Sequence, residues 1–422
     1  MRRSPFATRF LVILALVIVV SLLVCAAGAA AAPKRGGAAT APWTFLVYLD
    51  GDNNLDGWGQ YTLDLMRQGL AASARGNVRA VVLYDHQGAG GAEKLLVTAA
   101  GIRKVADVPE LDMSSPDTLA DFVAWGMRAY PSERYVLDVW DHGSGWVYLC
   151  SDATTKAAGT SPTGGVMLVD GLGRGLAAGE AAGGERVDLV VFEACNMGML
   201  EVSYELRALC DVVVGTELTQ DFEGIPWERT LATLDGRPAM TTMDAGRLMV
   251  DDLVWSYAEQ NRDAKCIASL SAMDSSRQAA IAGALDELAG ALLRDPKHWQ
   301  GAVGSAAAAA KDQIWGTAVN GINWFADVGK LSREIAKQVD DPQVDAAAAR
   351  LTAAVDAGLY TSHSKNLDGK LYGITVNFPP NRSAYDMKNW LGWDYAGLGL
   401  DLTADTRWDE FLRSYYVASG RL

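Results

Sequence analysis

Two residues of this chain have the type and setting for nucleophilic chemistry. His142, in "DHGSGW" (141–146), follows the apolar run "RYVLDVW" (134–140), and Cys195, in "EACNMG" (193–198), follows "VDLVVFE" (187–193). Each reads as standing just past the carboxyl end of a buried strand. Neighbouring strands lie about 4.8 Å apart, so if these two pair in one parallel sheet their end residues converge on one cleft. A thiol near its ordinary pKa supplies little thiolate at neutral pH. An adjacent imidazole generates that thiolate and then protonates a leaving amine. The glycines after His142 remove bulk, so a substrate backbone can come close. The N–H groups of Gly143 and Cys195 are candidate donors to an oxyanion. The helix-like run from Gly198 places a positive dipole end near Cys195, which predicts a lowered thiol pKa. Each residue alone has a plainer reading, as a buried structural cysteine or a histidine that satisfies backbone groups. The pairing at matched strand ends is what points to chemistry.

Such a pair needs a sheet to hold it, and the chain reads as one. Apolar, β-branched runs recur at 43–49, 78–84, 134–140, 187–193, 211–216 and 266–272, the pattern of strands buried on both faces. Helical spacing separates them at 115–130, where Ser115 caps and Pro116 opens the first turn, and at 198–209, 241–260 and 274–293. Residues 93–107 read as an inserted hairpin. This alternation predicts an α/β sandwich with a mostly parallel central sheet, whose ligands sit at the carboxyl ends of the strands. Residues 43–300 are taken as the core. Residues 301–422 are taken as a C-terminal extension packed on it, with helices at 341–359 and 406–419 and a strand near 370–380 stopped by prolines.

The first 32 residues are a different object. Arg2, Arg3 and Arg9 precede an apolar run from Phe10 to Ala32 that ends in alanines before Pro33, the form of a secretory signal. The run is also long enough to serve as an uncleaved membrane anchor. Cys25 in "SLLVCAAG" is a weaker site for lipid attachment, because Val24 is bulkier than the small residue such sites prefer. Residues 33–42 form a small-residue linker. Loss of the leader removes three of the 37 Lys and Arg and no acid, so 34 bases face 51 Asp and Glu, a net charge of −17. That charge repels nucleic acid and anionic membranes, and leaves membrane contact to the N-terminal segment alone. Cys150, Cys195, Cys210 and Cys266 are too sparse for a disulfide scaffold, and the absence of C-x-x-C argues against zinc.

The blocks "WTFLVYLDGDNNLD", "DVWDHGSGW", "VDLVVFEACNMGMLEV", "DVVVGTE", "IASLSAMD", "YGITVNFP" and "TRWDEFLRSYY" together resemble the clostripain family of cysteine peptidases, in the family's order and over most of residues 43–415. The resemblance implies a caspase-like three-layer sandwich, with His142 as catalytic histidine and Cys195 as nucleophile. It implies cleavage after arginine or lysine, for which a buried cation needs a paired carboxylate. The family's aspartate two residues before the cysteine is Glu193 here, one methylene longer. Glu217, Asp221 and Glu223, in the loop after the next strand, are candidates for a second acid. The resemblance further implies self-cleavage between histidine and cysteine. The Gly/Ser/Thr/Ala-rich segment 151–186 reads as a mobile loop for it, with Lys156 the first candidate and Arg174 and Arg186 the others. No cofactor is required. Some relatives respond to calcium, and Asp50 and Asp52 in "DGDNNLD" are the candidate ligands, although the full calcium-loop pattern is missing and an Asx turn capping the next helix is the plainer reading. The expected partners are peptides or proteins with basic residues, met outside the cell or at its surface. Two alternatives stand beside this reading: a non-catalytic exported binding protein with the same fold, and a caspase-like peptidase of different specificity.

Overall fold

A computed structural model of the chain describes residues 39–420, apart from 89, 160–163, 260–267, 312–323, 365–366, 368, 383–384 and 386–394. The leader or anchor at 1–32, Cys25 and Cys266 lie outside the described residues. Strands run in chain order as β1 (Ala41–Asp50), β2 (Val78–Asp85), β3 (Ala92–Thr98), β4 (Gly101–Val108), β5 (Ser132–Trp140), β6 (Leu149–Ser151), β7 (Val166–Met167), β8 (Leu189–Glu193), β9 (Val212–Gly215), β10 (Ser269–Asp274), β11 (Phe325–Asp327), β12 (Leu359–His363) and β13 (Thr375–Asn377). The helices are α1 (Asp56–Ser73), α2 (Pro116–Ala129), α3 (Ala153–Ala158), α4 (Val169–Gly183), α5 (Leu200–Glu205), α6 (Trp227–Gly236), α7 (Thr242–Glu259), α8 (Ser275–Leu292), α9 (Pro296–Lys311), α10 (Val328–Gln338), α11 (Pro342–Gly358), α12 (Asp401–Asp405) and α13 (Trp408–Ser419).

Alternation along the central strands sets the layers. In β1, Trp43, Phe45, Val47 and Leu49 enter one core while Leu46 and Tyr48 enter the other. In β8, Leu189 and Val191 part from Val190 and Phe192 in the same way. A strand buried on both faces needs a helical layer on each. On the first face Leu63 and Met66 of α1, Leu231 and Leu234 of α6, and Met249 and Leu253 of α7 supply it. On the second, Leu119 and Phe122 of α2, Leu172 and Leu176 of α4, and Ile281 and Leu285 of α8 do so. The result is the α/β three-layer sandwich expected from the sequence.

Among the described residues the main sheet has nine strands in the order β12-β10-β9-β8-β5-β1-β2-β3-β4. Its centre, β9-β8-β5-β1-β2, is parallel. Each edge ends in an antiparallel pair, β10 and β12 on one side and the β3–β4 hairpin on the other. The strand at 266–272 therefore runs opposite to the central strands, beginning at Ser269. The chain's last third also reaches the sheet, because β12 pairs with β10. Phe378 meets Trp408, Phe411 and Tyr415 edge-on in an aromatic cluster.

Two expectations change. Segment 151–186 is largely folded rather than a loose loop: β6 and β7 pair, α3 is capped by Asp152, and Leu172 and Leu176 bury α4. The helix expected at 198–209 is only α5, six residues long. Its start is held by a Met199–Thr375 bridge and a Gly198 N–H bond to Thr216 O at 2.7 Å. No described helix is long and apolar enough to cross a membrane.

Helix α6 is pinned at both ends. The Trp227 indole donates to Glu193 Oε1 at 2.6 Å. At the far end the buried Asp235 carboxylate accepts from the N–H groups of Arg75, Asn77 and Val78, where β2 begins. Asp235→Ala removes the acceptor of three amides, of which the Val78 N–H is buried. We expect it to cost about 1–3 kcal/mol of stability, seen as a drop in thermal midpoint; an unchanged midpoint contradicts this anchor.

Candidate active site

Strands β5 and β8 pair in parallel with Trp140 opposite Glu193. His142 and Cys195 therefore stand the same two residues beyond their strand ends. With Leu55, Glu193, Asp221 and Phe222 they line one cleft, whose free volume is about 40 Å³.

The loop carrying His142 is a tight return. Ser144 N–H bonds Tyr148 O at 2.9 Å and Cys150 N–H bonds His142 O at 3.2 Å. The turn carrying Cys195 is sewn to the end of β9: Asn196, at φ 61°, donates its N–H to Leu218 O at 2.8 Å and its side-chain amide to Glu217 O at 3.1 Å. The two turns meet at Gly143, where an added Cβ would lie 2.7 Å from the Cys195 carbonyl oxygen. Among the described residues neither Gly143 N–H nor Cys195 N–H makes a hydrogen bond, which leaves both donors available to a ligand.

Sequence reasoning missed the neighbours that hold the pair. Asn54 Oδ1 lies 2.9 Å from His142 Nε2, so this nitrogen is the donor when Asn54 is oriented this way. Gln220 N–H donates to Cys195 Sγ at 3.3 Å. No hydrogen bond joins the imidazole to the sulfur among the described residues. Burial lowers the His142 pKa. Burial raises that of Cys195, against the Gln220 N–H, which favours the thiolate, and with the nearby Asp141, which opposes it. The lowered thiol pKa expected from a helix dipole is thus absent, and the six-residue α5 begins five positions away. Both shifts favour the uncharged forms, a neutral thiol and a neutral imidazole.

The acids divide by position. Glu193 sits in the cleft wall, with Oε2 accepting from Ile225 N–H at 2.8 Å and Oε1 from Trp227. Gly224, at φ 60°, allows this contact, since a Cβ there would fall 2.1 Å from Glu193 Oε2. Burial pushes Glu193 to about 7 despite these donors. Burial and the adjacent Glu193 carboxyl push Asp138 well above the carboxylate range. Asp221 lines the cleft mouth, and Glu223, half-buried on the same loop, does not line it. Glu217 is corrected from pocket acid to internal strut: it is fully buried, away from the cleft, and accepts from Gly373 N–H at 3.1 Å and Ser269 Oγ at 3.4 Å. Burial and the nearby Asp327 carboxyl raise its pKa well above normal.

Asp50 and Asp52 are the candidate calcium ligands. Both Asp52 oxygens are occupied, each accepting at 2.6 Å, from Gly88 N–H and from Thr154 N–H. Asp50 instead shares a buried cluster with Asp141 and Cys150, whose potential ligand atoms lie within 4.8 Å of one another. Asp141 is already held by the Asn53 amide at 2.8 Å and by Ser151 N–H. Two carboxyls and a thiol are a poor match to the shell of about six to eight oxygens that calcium takes. Asn53 Oδ1 accepts from Leu55 N–H at 2.8 Å, the Asx turn that leads into α1. Cys150, Cys195 and Cys210 are free thiols.

Of the candidate cleavage points, Lys156 is exposed on the single-turn α3, just before the undescribed residues 160–163. Arg174 lies inside the fifteen-residue α4 and pairs with Asp170 at 3.2 Å. Arg186 pairs with Asp211 at 2.5 Å.

The clostripain-family model of C11 peptidases matches residues 47–347. No curated protein matches. Three solved structures share the fold. A secreted C11 cysteine protease from Bacteroides thetaiotaomicron, in complex with an irreversible peptide inhibitor, aligns over 87% of this chain and 99% of its own, at 17% identity and a TM-score of 0.63. An inactive zymogen C11 protease from Parabacteroides distasonis aligns over 88% and 98%, at 18% identity and 0.62. The secreted C11 protease called iotapain, also from Bacteroides thetaiotaomicron, aligns over 80% and 93%, at 15% identity and 0.60.

The electrostatics of the histidine can be checked directly. In a histidine NMR titration His142 should have its midpoint below 6.5. Asn54→Ala should move it lower still, because loss of the acceptor removes support for the charged ring. A midpoint at or above 6.5, or an upward move in the variant, contradicts this environment.

Proposed function

The chain belongs to the clostripain family of cysteine peptidases, and from that premise we propose that it is an exported endopeptidase that cuts after arginine or lysine, with Cys195 as nucleophile and His142 as acid and base. The observation that carries this reading is the register of Trp140 against Glu193, which sets the imidazole and the thiol on one cleft.

The chemistry follows from the donors around the pair. With Nε2–H directed to Asn54, Nδ1 carries the free lone pair. The Cys195 thiol gives its proton to Nδ1 as sulfur bonds to the scissile carbonyl carbon. The resulting oxyanion accepts the free N–H groups of Gly143 and Cys195. The imidazolium then protonates the leaving amine as the C–N bond breaks, and a thioester remains. Water, deprotonated by Nδ1, attacks the thioester and releases the acid and the restored thiol. A neutral resting pair suits this course, because the proton moves only as attack begins. Asp50 and Asp52 take no part, and no cofactor is needed.

Selection of a basic side chain is assigned to Glu193, backed by Asp138, with Asp221 at the mouth. An entering guanidinium or ammonium brings the charge that lets the buried carboxyl pair ionise. Asp221 is favoured over Glu223 and Glu217 by its position on the cleft. Cleavage of the chain itself between His142 and Cys195 is assigned to Lys156: a single exposed turn unravels at far less cost than α4 around Arg174, and Arg186 is already paired.

Two measurements decide these points. Fluorogenic peptides ending in Arg or Lys should be hydrolysed, those ending in Asn or Asp should not, and Cys195→Ala should lose at least about a thousandfold in rate. Turnover of Asn or Asp peptides alone rejects the specificity, and turnover by the alanine variant rejects the nucleophile. On a denaturing gel the active protein should run as two fragments, while Cys195→Ala and Lys156→Ala should each stay whole. Two fragments from Cys195→Ala exclude self-processing.

A further inference from the structure

Among the described residues three large apolar side chains stand in water: Trp58 at 36% exposure, Phe222 at 51% and Val417 at 59%. Two of them touch each other at the cleft. The Trp58 and Phe222 rings stack with centroids 5.5 Å apart and planes 17° apart, and Tyr61 braces Trp58 edge-on at 5.7 Å. Phe222 itself lines the cleft with His142 and Cys195. The stack also joins the two segments that hold the reacting pair. Phe222 is two residues past Gln220, whose N–H rests on Cys195 Sγ. Trp58 is four residues past Asn54, whose Oδ1 rests on His142 Nε2.

Phe222 leaves half of its surface in water and Trp58 about a third, so the stack presents apolar surface to solvent beside the cleft. Half-exposed aromatics continuous with a reacting cleft are the usual anchors for a bound chain. A peptide whose carbonyl reaches Cys195 must lay its neighbouring residues along the cleft mouth, where this stack is the apolar surface. We propose that Trp58 and Phe222 form an apolar subsite that takes a large aliphatic or aromatic side chain from the substrate residue adjoining the basic one held at Glu193. The subsite rests on the peptidase reading above. It makes recognition two-part, a cation at the acidic wall and an apolar neighbour on the rings.

The test pairs hydrolysis with binding. Arginine peptides carrying Leu, Phe, Ala or Lys at the flanking positions are given to the wild-type chain, and their binding to Cys195→Ala is followed by fluorescence polarisation. The ratio of kcat/KM for the Leu over the Ala peptide should be roughly tenfold. It should collapse towards one in Trp58→Ala and in Phe222→Ala, and return in Phe222→Trp. The same ratio should appear in the binding constants and be lost when Trp58→Ala is added to Cys195→Ala. Hydrolysis without preference for Leu or Phe overturns the subsite alone, as does a preference for Lys on the rings or a loss shared equally by Leu and Ala peptides. Absence of hydrolysis together with Leu-selective binding overturns the peptidase reading and upholds the subsite. Absence of both overturns the two together.

Discussion

The parallel pairing of β5 with β8 governs the chemistry of this molecule. A one-residue slip would turn every side chain of one strand to the opposite face. Val190 and Phe192 would leave one core, Leu189 and Val191 the other, and two helical layers would lose their partners. Hydrophobic burial on both faces therefore holds the register far more firmly than any contact within the site. The site inherits that rigidity: the strand ends stay level, and two short turns project from them. Close approach at Gly143 and the bonds from the Cys195 turn to the end of β9 then leave little freedom in where the sulfur sits.

The same burial sets the electrostatics. Cys195 is pushed up and His142 down, and both shifts favour the uncharged forms. Glu193 and Asp138 are likewise held towards their neutral forms. A cation placed beside these carboxyls would favour their ionised forms.

Much of this was legible along the chain, because strands buried on both faces announce themselves locally. The runs at 43–49, 134–140 and 187–193 became strands, and His142 and Cys195 fell at their ends because both are read within a few residues of the apolar pattern that positions them. The hidden parts are those made by distant partners. Nothing near His142 in sequence points to Asn54, 88 residues away, and nothing near Cys195 points to the Gln220 amide, a backbone group with no side-chain signature. Glu217 looked like a loop carboxylate, and only the folded chain closes Ser269 and Gly373 around it. Small residues in 169–183 resembled a loose linker, yet α4 uses them to lie close against α2. The hairpin at 93–107 was legible as β3 and β4, because its two strands are joined by a short turn, whereas the antiparallel pairing of β10 with β9 and β12 was not, since strand direction there is a property of a distant partner.

The edge strand β12 has a consequence for biosynthesis. It comes from residues 359–363 and covers β10, some ninety positions earlier. A chain emerging from the ribosome exposes both strand-end turns, and the flank of β10, long before the segment that shields that flank is made. An uncovered flank of this kind invites pairing with other nascent chains. The order of delivery therefore places the last safeguard of the sheet near the end of translation, and a message truncated before that point would yield a sticky, unfinished particle.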